Sequence, residues 1–315
     1  MTRYKLYHGD AGSVLKIVQN DSVDCVVTSP PYFQLRQYKE EIDDKEIGQE
    51  RNVHDYITNL VNVFNNVKPI LKDSGTLWVV IGDTYVKSDP QYSRKCLYGV
   101  PWRFALAMID AGWILRQDVI WNKVKPIPHP VIDRCVTAHE YVFLFTKKPT
   151  YYWDYKASLE PALTTTPPRK KTPKKLAKSH KPGQKHIART SMSGPQIHNG
   201  EFVRIRRSVW SVTTAPFDAS RYETPETPLM EHFATYPQKL IEPCILMGSP
   251  VGGVVLDPFN GAGTTGVVAL KNDRNYIGID LNSEYLRLTA ARIENECDIR
   301  PLNASPAVVK PPSLF

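Results

Sequence analysis

Residues 254–270 read Val254-Val255-Leu256-Asp257-Pro258-Phe259-Asn260-Gly261-Ala262-Gly263-Thr264-Thr265-Gly266-Val267-Val268-Ala269-Leu270. A short apolar run stops at Asp257-Pro258, passes through a glycine-rich turn, and continues as a helix from Thr264. Glycines let the backbone approach a ligand closely, and a helix N-terminus favours negative charge. Gly261, Gly263 and Gly266 even satisfy the G-x-G-x-x-G spacing of dinucleotide sites. Two details argue against a dinucleotide. Asp257-Pro258-Phe259 places a carboxylate and a ring at the strand's carboxyl end. The next acidic strand end, Asp280 in Gly-Ile-Asp-Leu-Asn, follows only 14 residues after Gly266. A cofactor with a charged amino-acid tail and a ribose, but no pyrophosphate, suits this arrangement. Asp280 would accept from both ribose hydroxyls, and Asp257 would supply negative charge near a cationic end.

Working outward, strands alternate with helices. Residues 22–27 form a short apolar run stopped by Pro30-Pro31, which predicts a buried strand. Tyr56, Leu60, Val63, Phe64, Val67 and Leu71 recur at helical spacing, and Asp73-Ser74-Gly75 is expected to end that helix. Thr76–Ile81 reads as an uninterrupted strand. A helix is expected over 101–111 with Pro101 in its first turn, and strands over 114–121, 140–146 and 276–279. Helical pattern resumes near Tyr236. This alternation predicts an α/β fold with buried parallel strands.

Thr28-Ser29-Pro30-Pro31-Tyr32 closes the first of the buried strands, and in α/β sheets ligands bind outside the strands' carboxyl ends. The prolines stiffen the backbone. Ser29 offers a hydroxyl, Pro30 a carbonyl and Tyr32 a flat ring. An exocyclic amine on an aromatic base is a poor nucleophile because its lone pair is delocalised into the ring. Two acceptors on its protons would favour a pyramidal nitrogen, and a tyrosine ring would stack on the base.

The pairing of this loop with the cofactor loop resembles the amino-group DNA methyltransferases of the β arrangement, in which the S/D/N-P-P-Y/F motif precedes the cofactor motif. His232-Phe233-Ala234-Thr235-Tyr236-Pro237 is similar to the segment that precedes the cofactor motif there. Gly9-Asp10, Gly82-Asp83 and His139-Glu140-Tyr141 are shorter matches. The resemblance covers residues 4–155 and 230–295. It implies S-adenosyl-L-methionine as cofactor and a Rossmann-like, mixed, mostly parallel sheet with helices on both faces. By the same resemblance Asp280 binds the ribose, Gly261 and Gly263 floor the methionine moiety, Phe259 contacts the cofactor, Thr235 holds its carboxylate, Asp10 lies near the adenine and Asp83 near the catalytic pocket. Asp10 and Asp83 read equally well as a turn acid and a cap, and His139 and Glu140 read as structural. Catalysis falls to Ser29, Pro30, Pro31 and Tyr32. A leading serine in the motif is associated with N4-cytosine methylation, with N6-adenine the alternative; an RNA methyltransferase, a non-catalytic DNA-binding protein and a NAD-dependent oxidoreductase are weaker readings.

Between Pro161 and Gly200 there is no acidic residue, while Lys170, Lys171, Lys174 and Lys175 head a run of cations. That segment cannot bury a core. It reads as a DNA phosphate contact or as a solvated linker. Arg204, Arg206 and Arg207 are candidates for ordered contacts, including guanine edges, or for a charged edge strand. The implied order is a catalytic part over 1–155, an inserted target-recognition region over 156–229, the second catalytic part over 230–297 and a Pro-rich tail over 298–315. The chain has 315 residues, 42% hydrophobic and 23% charged, with a net charge of +8 that suits a polyanion partner. On net charge alone simple solubility reads equally well; by the resemblance, double-stranded DNA is the expected partner, with a cognate restriction endonuclease as a further candidate. Five scattered cysteines without a CxxC pair suggest neither metal nor disulfides, and Cys244 in Pro243-Cys244 reads as a core residue of an amphipathic helix. The absence of a membrane-length apolar stretch or an apolar N-terminal region points to a soluble cytoplasmic protein.

Overall fold

In a computed structural model the described residues are 3–34, 46–126, 130–162, 196–198, 200–214, 218, 222, 235–297 and 308–309. Strand β1 (Tyr4–His8) leads into a one-turn helix α1 (Ala11–Val14), then β2 (Val23–Thr28), α2 (Val53–Ile70), β3 (Leu71–Ile81), α3 (Val100–Asp110), β4 (Ile114–Lys123) and β5 (His139–Thr146). After β6 (Leu159–Pro161), β7 (Gln196–His198), β8 (Glu201–Ile205) and β9 (Val209–Val212) come α4 (Gln238–Gly248), β10 (Val254–Asp257), α5 (Thr264–Lys271), β11 (Asn275–Asp280), α6 (Ser283–Cys297) and β12 (Val308–Val309).

Among the described residues the main sheet has nine strands in the order β12-β1-β11-β10-β2-β3-β5-β4-β9. From β12 to β3 every pairing is parallel, β5 runs antiparallel to both β3 and β4, and β9 is parallel to β4. The decisive pairing is β10 with β2, Val255 opposite Cys25 and Leu256 opposite Val26. It sets the carboxyl ends of two strands from opposite halves of the chain side by side, at the point where the strand order reverses. Helices flank the sheet: α2 packs on α3, and α5 packs on both α4 and α6.

Local chemistry explains most boundaries. Asn52 caps α2, its side chain accepting from the Asp55 amide at 2.9 Å. The predicted stripe Tyr56, Leu60, Val63, Phe64 and Val67 is buried, with the fully buried Phe64 ring against Phe104 of α3. Pro69 lies in the last turn, and the chain enters β3 directly at Leu71. Asp73-Ser74-Gly75, expected as a loop ending the helix, lies inside β3. Val23 pairs with Leu71 and Cys25 with Thr76, so residues 72–75 bulge out of the ladder. A Cβ on Gly75 would lie 2.5 Å from Leu71 Cδ1, so the bulge needs glycine there.

The antiparallel β5 makes the sheet mixed and mostly parallel, as the resemblance implied. Two details of the chain's division differ from expectation. β9 falls inside the stretch 156–229 assigned to the insert, yet it is an edge strand of the main sheet beside β4. In the Pro-rich tail, Val308–Val309 pairs with Leu6 and Tyr7 of β1. The chain divides into two compact units, Met1–Asp154 with Ser208–Phe315, and Tyr155–Arg207. The second contains a three-stranded antiparallel sheet, β6-β8-β7. No helix among the described residues is long and apolar enough to cross a membrane.

Candidate active site

Thr28 ends β2 with its hydroxyl donating to Asp257 Oδ1 at 2.6 Å, which ties the start of the reaction loop to the end of β10. Beyond it, the Tyr56 hydroxyl donates to the Pro31 carbonyl at 2.8 Å, so α2 fixes the far side of the prolines. Phe33 is buried against Tyr56 and Tyr98 and anchors the loop's exit. The Tyr32 hydroxyl donates to Glu140 Oε2 at 2.6 Å, and Lys123 of β4 pairs with the other carboxylate oxygen. Burial, then the adjacent Glu140 charge and hydrogen bond, push the Tyr32 phenol well above its ordinary range, and the Ser29 side chain opposes the rise. The Tyr32 hydroxyl is therefore engaged as well as its ring.

Across from this loop, the Gly261 amide donates to Asp280 Oδ2 at 2.7 Å and the Asn282 amide to Oδ1 at 2.8 Å. Burial raises the Asp280 carboxyl to about 7, the Asn282 and Gly261 amides oppose this, and the Asp257 charge adds to it. Gly261 (φ +49°) has open space before it, a Cβ there meeting nothing nearer than the Phe259 carbonyl at 4.0 Å. Gly263 (φ +74°) is needed for the opposite reason, since a side chain would collide with Thr289 of α6. Arg292 holds the turn from below, donating to the Ala262 carbonyl at 2.7 Å and to Thr264 Oγ1 at 3.1 Å. Glu296 pairs with Arg292, and although burial would raise its carboxyl, Lys271, Arg292, Gln238 and Tyr222 lower it to about 2.

One cleft of about 1840 Å³ is lined by Ser29, Pro30, Pro31 and Tyr32 together with Asp10, Thr235, Phe259, Gly261 and Asp280. Two predicted residues are not on its wall. Gly263 lies behind the turn. Asp257 is fully buried and accepts from Thr28, from Thr265 at 2.8 Å, from Tyr236 at 3.1 Å and from the Phe259 amide at 3.0 Å. It is a junction beneath the site, not a charge facing a ligand. Asp10 caps α1 through the Ser13 amide at 2.8 Å, and Asp83 accepts from the Thr84 and Val100 amides, so both are caps that also line the cleft. Cys244 is fully buried in α4, with its thiol against the Leu240 carbonyl.

In the second unit, Arg204 pairs with Glu160 at 2.9 Å and Arg206 with the same carboxylate at 3.8 Å. Both arginines thus pair within this unit, with Glu160 of β6, while Arg207 is exposed. Lys170, Lys171, Lys174 and Lys175 lie outside the described residues, as do His232, Phe233 and Ala234. Among the described residues no group of His, Cys, Asp and Glu is arranged to hold a metal. Glu140, singled out within His139-Glu140-Tyr141 and read as structural, meets the Tyr32 hydroxyl. Lys123 and Tyr56 were not foreseen at the site.

The sequence pattern of a family described as DNA methylase, covering the N6 and N4 amino-methylases, matches residues 23–291. The chain belongs to that family. This methylase is 36% identical over 313 residues to the Type II methyltransferase M.Cfr9I of Citrobacter freundii, covering 92% of this chain and 88% of that one. In fold it is similar to the PvuII DNA methyltransferase (cytosine-N4-specific), with a TM-score of 0.65 and 21% identity over 92% of this chain and 88% of the other. The structure of a DNA modification methylase from Thermus thermophilus, complexed with S-adenosyl-L-methionine, aligns with a TM-score of 0.57 and 22% identity over 93% of this chain and 96% of that one. The fold is thus the Rossmann-like methyltransferase sheet, and S-adenosyl-L-methionine is the methyl donor of the family.

Proposed function

We propose that this methylase transfers a methyl group to the exocyclic N4 of cytosine in double-stranded DNA. The observation that carries the reading is the β2–β10 pairing, which brings Ser29-Pro30-Pro31-Tyr32 into one cleft with Phe259, Gly261 and Asp280. The residues fit the cofactor: the Asp280 oxygens accept from backbone amides and a carboxylate has room for more, and the space before Gly261 is open. Bound there, S-adenosyl-L-methionine supplies an electrophilic methyl group. Asp280 accepts the ribose hydroxyls, Phe259 packs against the cofactor, Gly261 floors it with Gly263 setting the turn, Thr235 holds its carboxylate end and Asp10 lies toward its adenine. Asp257 acts indirectly, by locking Thr28 to Phe259.

A base inside a duplex is out of reach, so the target is flipped into the cleft at a cost of about a few kcal/mol. Ser29 Oγ and the Pro30 carbonyl accept from the two protons of the amine, and the Tyr32 ring stacks on the base. The amine attacks directly, and no enzyme–base adduct forms. Cytosine is favoured over adenine by Ser29 at the head of the motif. The Tyr155–Arg207 unit, with the lysines at 170, 171, 174 and 175 and the exposed Arg207, contributes target recognition and phosphate contact. The enzyme then works in the cytoplasm, where a companion endonuclease would share its recognition sequence.

The test is mass analysis of nucleosides from duplex DNA incubated with the enzyme and labelled cofactor. N4-methylcytosine is expected. N6-methyladenine alone would overturn the choice of base, and 5-methylcytosine would overturn the mechanism.

A further inference from the structure

The connection from β4 to β5 carries an apolar side chain out into water beside the reaction loop. Ile132 is fully exposed, yet it lines the same cleft as Ser29, Pro30 and Tyr32. Single exposed apolar residues are common on protein surfaces. This one is restrained by the two residues that follow it. Asp133 pairs with Lys95 at 2.7 Å, and the Arg134 guanidinium lies 3.8 Å from the centre of the Tyr85 ring. Both anchors belong to the segment between β3 and α3, which is itself tied across. The Lys95 amide donates to the Val86 carbonyl at 3.0 Å, the Val86 amide to the Cys96 carbonyl at 2.8 Å and the Tyr98 amide to the Thr84 carbonyl at 3.1 Å. The Tyr98 ring in turn packs edge-on against Phe33, which anchors the exit of the reaction loop. Ile132 is thus placed relative to the reaction loop by a chain of contacts, and no described residue covers it.

Flipping a base into the cleft leaves a gap in the stack, and the cost of flipping is the stacking and pairing lost there. An apolar side chain entering such a gap offsets part of that cost, as wedges of Ile, Leu or Phe do where proteins unstack DNA. Ile132 gains as well, because the apolar surface it exposes to water is then buried. The charges around it favour a nucleic acid as the occupant over a protein. Lys87 and Arg94 stand exposed on the same wall of the cleft, and the acid next to Ile132, Asp133, is already paired with Lys95. We infer that Ile132 is a wedge that enters the duplex where the target base leaves it, with Lys87 and Arg94 against the flanking phosphates. The inference rests on the amine-methylation reading and adds to it the surface that holds the opened duplex.

The test compares two duplexes built on a methylation site mapped from the parent enzyme's own product. In one the target base is paired, and in the other it is mispaired, with the opposing base chosen as the mispair that the parent methylates fastest. A mispaired base is already partly out of the stack, so its flipping needs less help. Ile132→Ala should slow single-turnover methylation of the paired duplex on the order of tenfold. On the mispaired duplex it should run near the parent rate. Ile132→Leu, which restores an apolar wedge, should be close to the parent on both. Cofactor affinity by calorimetry and the melting temperature should not move, since the side chain touches neither the cofactor loop nor the core. A full rate for Ile132→Ala on the paired duplex, or an equal loss on both duplexes, would overturn the inference. The parent's product separates the two levels: no methylated amine in DNA sinks the functional reading, whereas normal product with an unaffected Ile132→Ala sinks only the wedge.

Discussion

Raising the pH from 6 to 8 should tighten cofactor binding about tenfold through Asp280, whose carboxyl burial lifts to about 7. The perturbation is a change of pH alone, and the magnitude comes from the fraction ionised. About one carboxyl in ten is charged at pH 6 and about nine in ten at pH 8. If only the carboxylate can accept from both ribose hydroxyls while keeping the Gly261 and Asn282 amides, apparent affinity follows that fraction. It should rise by about one decade per pH unit below 7 and level off above. The sign for folding is the opposite. A folded value above the ordinary 3.8 means that ionising Asp280 works against the fold, so stability contributed by the protonated group is lost as pH rises from about 4 to about 7, on the order of 4 kcal/mol in all. Hydroxyl donors from a bound ribose would recover part of it.

Calorimetric titration with S-adenosyl-L-methionine at pH 6, 7 and 8 is the assay. The cofactor's own α-amino group titrates in a nearby range, at about 7.7–8.0 for a free amine, so Asp280→Asn is the necessary control. The asparagine cannot titrate, and any slope left in its curve belongs to the ligand. Subtracting it should leave the decade assigned to Asp280. Parallel curves for parent and Asp280→Asn would refute the reasoning.

Asp257→Ala should destabilise the protein before it affects any ligand, because four donors lose a buried acceptor at about 1–3 kcal/mol each; Thr265 keeps a second acceptor in the Val27 carbonyl at 3.3 Å, and the Tyr236 and Thr265 hydroxyls also bond each other. An unchanged melting temperature by scanning calorimetry would show that Asp257 is not the junction described. Neutralising Lys170, Lys171, Lys174 and Lys175 together should flatten the plot of log DNA affinity against log salt by about 0.9 for each phosphate contact removed; an unaltered slope would leave that run a linker. Cys244→Ser should retain methylation, since the thiol is buried in α4 and no thiolate attack is used; loss of activity with the fold intact would contradict direct attack by the amine.

How much of this was legible in the sequence depended on whether an interaction is local. Asp257 to Gly266 spells out strand, turn and helix by nearest-neighbour chemistry, and α2 shows its buried stripe by spacing alone. The bulge at residues 72–75 is also local, but a short polar triplet with glycine favours a loop and a bulge alike, and only pairing with β2 separates them. β9 and β12 were missed because short strands at a sheet edge derive their stability from the neighbour they pair with. The site divides the same way. Ser29, Tyr32, Phe259, Gly261 and Asp280 stand in motifs whose residue types announce their chemistry. Glu140 lies 108 residues from Tyr32, and its partner Lys123 is on another strand. Nothing in His139-Glu140-Tyr141 says that the middle side chain meets a phenol, because the meeting is set by β5 running antiparallel beside both β3 and β4. Asp257 shows the converse. Its position at the end of a strand beside a glycine turn suggested a ligand-facing charge, whereas the parallel pairing of β10 with β2 places Thr28 against it and turns the carboxylate inward. A carboxylate surrounded by hydroxyls from β2, α5 and the segment before α4 is held too completely to serve a ligand directly, which is why its loss should register in folding, and that of Asp280 in binding.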